Sequence, residues 1–217
     1  MRIVTACLLV LLVSAPVAAQ PNADSFDEPF PASIRAFFLA TDQSFAAKTT
    51  FKAAFGKSVE PFFGGGLQVA LRNGLFVEVG FSRFKKTGQL AFVNNGQTFQ
   101  LGIPLTATIT PLELSAGYRF GASGSSRFIP YAAAGVGRYA YREAADFAID
   151  GDNADTHHVG YLAAGGVEVR VHRWIGLAVD AQYTHVTGIL GAGGVSKDAG
   201  ESDLGGIAGR FKILIGR

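Results

Sequence analysis

Histidine residues are the first candidates for chemistry in this sequence. The chain has 4 histidines, and none lies in the His-Glu-x-x-His pattern of a zinc site. His185 precedes Thr187 by two positions, so an imidazole could activate a hydroxyl, but no acid is assigned to orient it. The acidic run 150–155 has Ala154 where a calcium loop needs an oxygen ligand. The sequence favours a protein without catalytic, metal or cofactor residues, with a base–hydroxyl pair at His185 as an alternative.

Charged side chains embedded in apolar segments form the second group of candidates. Glu78 lies between Val77 and Val79, for example. Because successive side chains of a strand face opposite sides of a sheet, such charges share one inner face. We predict that this face carries a charge network of nine residues, which are Glu78, Glu113, Arg119, Arg138, Glu168, Arg170, Asp180, Arg210 and Lys212.

The elements that must position these charges are β-strands. Apolar residues alternate with polar or small ones on both sides of Arg72-Asn73-Gly74, which is a β-hairpin signature. An eighth strand is expected within Ser33 to Lys48, followed by an outside loop at Thr49 to Val59, where a short helix is the alternative. The same alternation predicts seven further strands near 61–71, 75–85, 104–120, 127–141, 158–171, 174–186 and 204–216.

Two segments have an unclear facing. The apolar residues change face along the segment 104–120: those at Leu105, Ala107 and Ile109 lie on the opposite side from those at Leu112 and Leu114. We therefore expect a bulge or the mouth of the strand near Pro111. The segment from Ile129 to Tyr141 has an Ala/Gly middle. There, Arg138 indicates that the even positions face inward.

The N-terminal segment predicts export. Arg2 is followed by an apolar run from Ile3 to Val13 and by small residues, which is typical of a signal peptide of residues 1–19. Cleavage would remove Cys7, the single cysteine, and therefore any thiol chemistry. Residues 20–32 are expected to form a flexible periplasmic lead-in, so that the folded domain spans 33–217.

Composition and turn lengths point to a membrane barrel. Hydrophobic residues make up 48% and mean hydropathy is +0.26, yet beyond residue 19 no apolar stretch has the length of a membrane helix. Short turns at Arg72-Asn73-Gly74, Gly121 to Ser126 and His172-Arg173 alternate with long polar connections at Lys85 to Ile103, Arg142 to Thr156 and Thr187 to Asp203. We therefore predict an all-β, eight-stranded antiparallel up-and-down transmembrane β-barrel. A soluble lipocalin-like binder, with its apolar faces inward, is the rival interpretation.

Several segments resemble those of the OmpA/OmpX/OmpW-like family of small outer-membrane β-barrels. They are Gly64-Gly65-Gly66-Leu67, Pro130-Tyr131 leading into Ala134-Gly135-Val136-Gly137, and the amphipathic strand at the end of the chain. The resemblance implies the outer membrane of a Gram-negative bacterium, with membrane lipids and the barrel-assembly machinery as partners. The ending Ile215-Gly216-Arg217 departs from the terminal aromatic residue that is common in such barrels.

Three functional classes remain open. A non-enzymatic barrel with a structural or surface-interaction role through its long loops ranks first, because loops on rigid scaffolds carry function. A passage for small hydrophobic molecules is the alternative, and a lipid A-modifying enzyme is the third class. The formal charge of +2, or +1 without Arg2, gives no basis for a nucleic-acid partner. An eight-stranded barrel is narrow, so the charge network predicts a plug, with a gated solute path as the alternative.

Overall fold

A computed structural model describes residues 32–94, 97–121, 126–145, 154–191, 196–197 and 199–216. In these ranges, antiparallel strands follow one another around a closed barrel in chain order, and the first strand pairs with the last. This confirms the predicted eight-stranded up-and-down barrel. The elements are β1 (Ala32–Phe45), α1 (Lys48–Phe55), β2 (Val59–Leu71), β3 (Leu75–Asn94), β4 (Gln97–Arg119), β5 (Phe128–Ala145), β6 (Ala154–His172), β7 (Ile175–His185) and β8 (Gly206–Gly216).

The predicted signal peptide lies outside the described residues, as does the lead-in up to residue 31. The acidic positions 150–153 also fall outside them. No helix among the described residues is long and apolar enough to cross a membrane.

Alternation in the sequence gives the barrel an apolar outer wall. The outward residues of the first predicted hairpin are exposed, whereas Gln68 and Glu78 between them are buried. This is the inverse of a soluble barrel, whose apolar side chains would fill the interior, and it matches a wall that faces lipid. The exposed apolar set of this hairpin is Leu67, Val69, Leu71, Leu75, Val77, Val79 and Phe81.

The first connection contains both the expected strand and the alternative helix. β1 fills most of the range expected for the eighth strand, and α1 follows after two residues. The helix ends at Gly56, whose φ of +79° is left-handed and whose N–H donates to the Lys52 carbonyl at 2.9 Å. Glycine adopts this conformation without the steric cost that a Cβ would add, which explains the sharp turn into β2.

The connection predicted at Lys85 to Ile103 is not a loop. β3 and β4 continue as a two-stranded ribbon that pairs as far as Asn94 and Gln97. β3 has 20 residues and β4 has 23, whereas about 9–11 suffice to cross a bilayer. The polar residues of the segment lie where the chain leaves the lipid, but the two strands continue to pair beyond that level, so the segment is a ribbon and not a loop.

One prediction of facing is wrong. In β5 the even positions face outward and Arg138 is exposed, because Tyr131 and Tyr139 at odd positions are buried in the interior. Near Pro111 the predicted change of phase is present, but the bulge, one of its two expected causes, is absent, since Leu112 pairs with Phe81 and Ile109 with Phe84 in the same register.

The change of phase near Pro111 has a different cause. Leu105, Ala107 and Ile109 face inward and are buried, so the interior turns from polar to apolar at this level. On the outer wall of β4, the side chains change from apolar to polar at the same level, from Leu112 to Thr110. The barrel thus has two ends. We call the end with the β2–β3, β4–β5 and β6–β7 connections the short-turn end, and the opposite end the long-hairpin end.

Candidate functional site in the barrel interior

Glu168 organises the short-turn end of the interior. Its carboxylate accepts two hydrogen bonds from the Arg35 guanidinium, at 2.6 and 3.0 Å, and a third from Arg119 at 3.3 Å. Arg35 also donates to Gln68, whose amide donates to Glu78 at 3.0 Å. Charges from β1, β4 and β6 are thereby joined across the lumen, and each charge faces a partner of opposite sign.

Asp180 organises the middle of the interior. It accepts a hydrogen bond from Arg210 Nε at 2.5 Å and another from the Tyr131 hydroxyl. Lys212 bridges to Glu78 at 2.5 Å and lies 3.8 Å from Asp180, so it links this group to the Glu168 group. These contacts cross from β8 to β3 and β7, and they tie the closing strand to the rest of the barrel.

Glu113 forms the upper limit of the polar interior. Its carboxylate accepts hydrogen bonds from the Tyr139 hydroxyl at 2.7 Å and from the Gln182 amide at 3.0 Å, with Arg210 at 3.9 Å. Gln182 also donates to Thr184 at 3.0 Å. The polar groups of β4, β5, β7 and β8 thus close one layer across the lumen.

The positive and negative charges that form the ion pairs of the network are equal in number. It contains the four cations Arg35, Arg119, Arg210 and Lys212 and the four acids Glu78, Glu113, Glu168 and Asp180. Buried charges are tolerated when each is paired and hydrogen-bonded. Paired charges of both signs therefore fill the lumen at this level.

The structure places the nine predicted charges as follows. Seven lie in the interior network, and Arg138 faces outward. Arg170 is half-buried near the short-turn end on the same face of β6 as Glu168, and it interacts electrostatically with Glu168 and Arg119. Sequence reasoning missed Arg35, because β1 could not be aligned residue by residue. It also missed Tyr131, Tyr139 and Gln182. For the two tyrosines, the facing of β5 would have been the signal, since inward tyrosines among charges need hydrogen-bond partners.

Aromatic side chains fill the long-hairpin end. Phe51 of α1 stacks on Phe45 of β1 with ring centroids 3.6 Å apart, and Phe62 and Phe84 stack beside them at 5.3 Å. Val186 and Leu204, from the connection between β7 and β8, are buried in the same cluster. These apolar side chains cover the polar network, and α1 contributes Phe51 to them. We call this cluster the aromatic cap.

Polar contacts hold α1 over the mouth. Glu201 accepts hydrogen bonds from the backbone N–H groups of Thr49 and Thr50, at 3.0 and 2.8 Å, and from the Thr50 hydroxyl at 2.8 Å. Partial burial raises the pKa of this carboxyl, but these hydrogen bonds outweigh burial, so the net pKa lies below its usual range. Glu201, which lies in the connection between β7 and β8, thus caps the N-terminus of α1, which lies in the connection between β1 and β2.

A second contact fixes the other end of α1. Glu60 is 2% exposed and pairs with Lys86 at 2.6 Å, while Lys86 also donates to the Phe55 carbonyl at 3.4 Å. Gly88 allows the close approach of the helix to β3, since a Cβ there would lie 2.1 Å from the Ala54 carbonyl oxygen. The cap and this ion pair together clamp α1 against the barrel.

A small cavity of about 40 Å³ lies between the aromatic cap and the polar network. Phe45, Phe62 and Ile109 line one side, and Glu113, Gln182 and Arg210 line the other. Such a volume accommodates a few water molecules and no larger solute.

The structure gives His185 an acidic partner that the sequence did not reveal. Asp203 lies 2.8 Å from His185 Nδ1, and it accepts hydrogen bonds from the backbone N–H groups of Val186 and Gly205 at 2.9 and 2.8 Å. Asp203 therefore fastens the connection between β7 and β8. Within the described ranges, no group of three or more His, Cys, Asp or Glu side chains could hold a metal ion.

Comparison with known proteins gives one family. The family model described as outer membrane protein beta-barrel domain matches residues 5–203. No curated protein matches the sequence. Similar solved structures include Neisserial surface protein A, with 15% identity over 86% of this chain and 96% of that chain and a TM-score of 0.46.

Two further similar structures come from other bacteria. The N-terminal barrel of Pseudomonas aeruginosa OprF has 12% identity over 84% of this chain and 97% of that chain, with a TM-score of 0.46. Ail of Yersinia pestis has 12% identity over 85% and 95%, with a TM-score of 0.43. The family match, and not these structural similarities, carries the assignment.

Proposed function

The chain belongs to the outer membrane protein beta-barrel domain family, whose place is the outer membrane of Gram-negative bacteria, and on this premise we propose that it is a non-enzymatic surface-interaction barrel. Short turns of such barrels face the periplasm and long connections face the exterior. The β3–β4 ribbon and the cap with α1 then lie on the cell surface.

The β3–β4 ribbon is the observation that carries this proposal. Residues 88–104 contain no Asp, Glu, Lys or Arg, and Phe99 and Leu101 are 51% and 54% exposed. Among the described residues, pairing of β4 with β5 ends at Leu105, and pairing of β3 with β2 ends at Arg83. An uncharged ribbon with unpaired edges is suited to contact another protein, because natural edge strands that avoid such contact carry charges.

The filled interior supports the same proposal. The balanced charge network and the aromatic cap occupy the lumen in series, and the cavity between them is about 40 Å³. A rigid, closed barrel serves as a scaffold that displays the ribbon. Membrane lipids and the barrel-assembly machinery are the partners that the family implies.

Passage of small hydrophobic molecules is the second candidate. The apolar lining of the long-hairpin end, with Phe45, Phe62 and Phe84, favours it. For such a molecule to enter, α1 would have to leave the mouth and break its contacts with Glu201 and Lys86. This candidate therefore predicts that loosening α1 increases uptake.

A ribbon variant tests the surface role. Phe99→Lys with Leu101→Lys places two charges on the exposed ribbon, and Gln89→Lys with Gln97→Lys adds the same charge while leaving the apolar side chains in place. Cells that display each variant are compared for attachment to protein-coated surfaces and for uptake of an apolar fluorescent probe.

We expect the first pair of substitutions to abolish attachment and the second to retain most of it, with uptake unchanged in both. If attachment is unaffected by both pairs, the surface role is wrong. If probe uptake depends on expression of the barrel, passage of hydrophobic molecules takes its place.

A further inference from the structure

A group of cationic side chains lies on the outer wall of the barrel and points away from the interior charge network. Arg83 and Lys85 on β3 and Arg138 and Arg142 on β5 are all exposed on the outward face. We call these four residues the cationic patch. In each strand they begin where the apolar wall ends, after Phe81 in β3 and after Val136 in β5.

The strand register brings the patch together. Lys85 pairs with Thr108, and Thr108 pairs with Arg142, so these residues form one row across three strands. Phe81, Leu112 and Arg138 form a parallel row nearer the short-turn end. Since adjacent strands lie about 4.8 Å apart, the cations of β3 and β5 stand roughly 10 Å apart across β4.

Small side chains occupy the centre of the patch. Thr108 and Thr110 of β4 face outward between the cations, and Ala140 pairs with Thr110. The long side chains at the edges therefore surround a shallow depression with hydroxyl groups at its base. Arginine and hydroxyl groups of this kind bind phosphate oxygens.

The charge of the patch is only slightly compensated. Arg142 lies 3.6 Å from Asp155 of β6, and both side chains are 72% exposed, so this pair is weak in water. The described residues of β3, β4 and β5 carry no acidic side chain on their outward faces. The patch thus retains a strong positive charge at the edge of the lipid-facing wall.

We propose that the cationic patch binds the phosphate of an anionic lipid head group in the outer leaflet. Phe81, Leu112 and Val136 lie directly beside it on the apolar wall and would contact the acyl chains of the same lipid. This contiguity of cations and apolar surface commits the site to a lipid, because free phosphate needs no acyl contacts. The site fixes the barrel to a lipid and is distinct from the surface contacts of the ribbon.

Lipid binding to the purified full barrel tests the proposal. Native mass spectrometry from mixed micelles measures how tightly the barrel binds phosphatidic acid and phosphatidylcholine. The phosphate charge of phosphatidylcholine is neutralised by its own choline, so this lipid serves as the comparison. Arg83→Gln with Lys85→Gln and Arg138→Gln removes three charges of the patch. The matched control, Lys48→Gln with Lys52→Gln and Lys57→Gln, removes three exposed charges in and beside α1.

We expect the wild type and the control to prefer phosphatidic acid, and the patch variant to lose at least about tenfold in affinity for it, since each cation near an anionic surface contributes measurably. An equal loss in the control, or no loss in the patch variant, would overturn the site. Displacement of the lipid by excess inorganic phosphate would overturn its assignment to a lipid.

A single substitution keeps the test decisive if the triple variant does not fold. Thr110→Asp places an acid at the centre of the depression, and Thr110→Asn changes its size similarly without charge. Heat-modifiable migration confirms folding of both variants. Loss of phosphatidic acid binding in Thr110→Asp alone supports the site, and equal binding by both variants contradicts it.

Discussion

Glu168 holds two arginines of the interior network. Replacing it by glutamine leaves Arg35 and Arg119 buried without their carboxylate. Breaking a buried pair by removing one partner typically costs ~3–5 kcal/mol. We therefore expect Glu168→Gln to lower the free energy of unfolding by about that amount, as measured by urea unfolding in lipid vesicles.

The double substitution Arg35→Gln with Glu168→Gln is the control. It removes both partners of the Arg35–Glu168 pair, so that Arg119 alone is left without its carboxylate. We expect the double variant to be more stable than the sum of the two single costs predicts. Strict additivity would show that the network is not coupled.

Val77 tests the facing of the wall. It is 48% exposed on the outer face of β3, between Leu75 and Val79. A lysine that faces the middle of the bilayer costs ~2–4 kcal/mol, and the cost falls toward zero beyond the interface. We expect Val77→Lys to destabilise the folded barrel by this amount and Gln89→Lys, on the same strand beyond the apolar wall, to have little effect in the same unfolding assay.

Equal costs for these two lysines would mean that β3 does not meet lipid at Val77. That result would favour the soluble interpretation, in which apolar faces point inward.

Among the elements, α1 is the one whose position depends on a titratable cap. The pKa of Glu201 is lowered because hydrogen bonds from Thr50 and Thr49 outweigh the effect of burial. The stabilisation of α1 is therefore complete above the ordinary pKa of a glutamate, and it is lost as pH falls through the lowered value. We expect the protection factors of the α1 amides, that is, their intrinsic exchange rates divided by the observed rates at the same pH, to be smaller at acid pH than in the neutral range.

Glu201→Gln should remove this dependence. Loss of a helix cap costs ~1 kcal/mol, so the protection factors of the α1 amides are expected to be about fivefold lower at neutral pH and unchanged in acid. Hydrogen exchange read by mass spectrometry on the peptide that contains α1 checks this. A pH dependence that persists in the variant would show that another group holds the helix.

The sequence predicted the strands that carry a strong alternation, and it failed where that signal was weak. β3, β6, β7 and β8 alternate apolar and polar residues, so their facing could be read directly. The middle of β5 is Ala/Gly, and one arginine there misled the assignment because Arg138 lies where the wall meets the polar interface. A single charged residue in a strand does not by itself tell whether it lies in the lumen or on the outer wall at the edge of the lipid.

The interior shows a second limit of the sequence. Charges at alternate positions predicted that a network exists, but pairing partners such as Arg35 and Glu168 come from strands far apart in the chain. Their contact depends on closure of the barrel and on its register. The helix α1 was an alternative in the sequence, and its burial over the mouth follows from packing of Phe51 on Phe45.

The whole molecule is a membrane barrel whose lumen is filled at both ends by side chains. The charge network closes the short-turn end, and the aromatic cap closes the long-hairpin end. Surface contact through the ribbon and lipid contact through the cationic patch both use the outside of this scaffold. A conducting lumen is incompatible with this arrangement.

Conductance across a planar lipid bilayer tests this claim most directly. The purified full-length barrel is inserted at neutral pH after heat-modifiable migration on a gel has shown that it is folded. Because paired side chains fill an eight-stranded barrel, we predict no steady current above the bilayer background. A reproducible ohmic conductance that scales with the amount of inserted barrel would contradict the account.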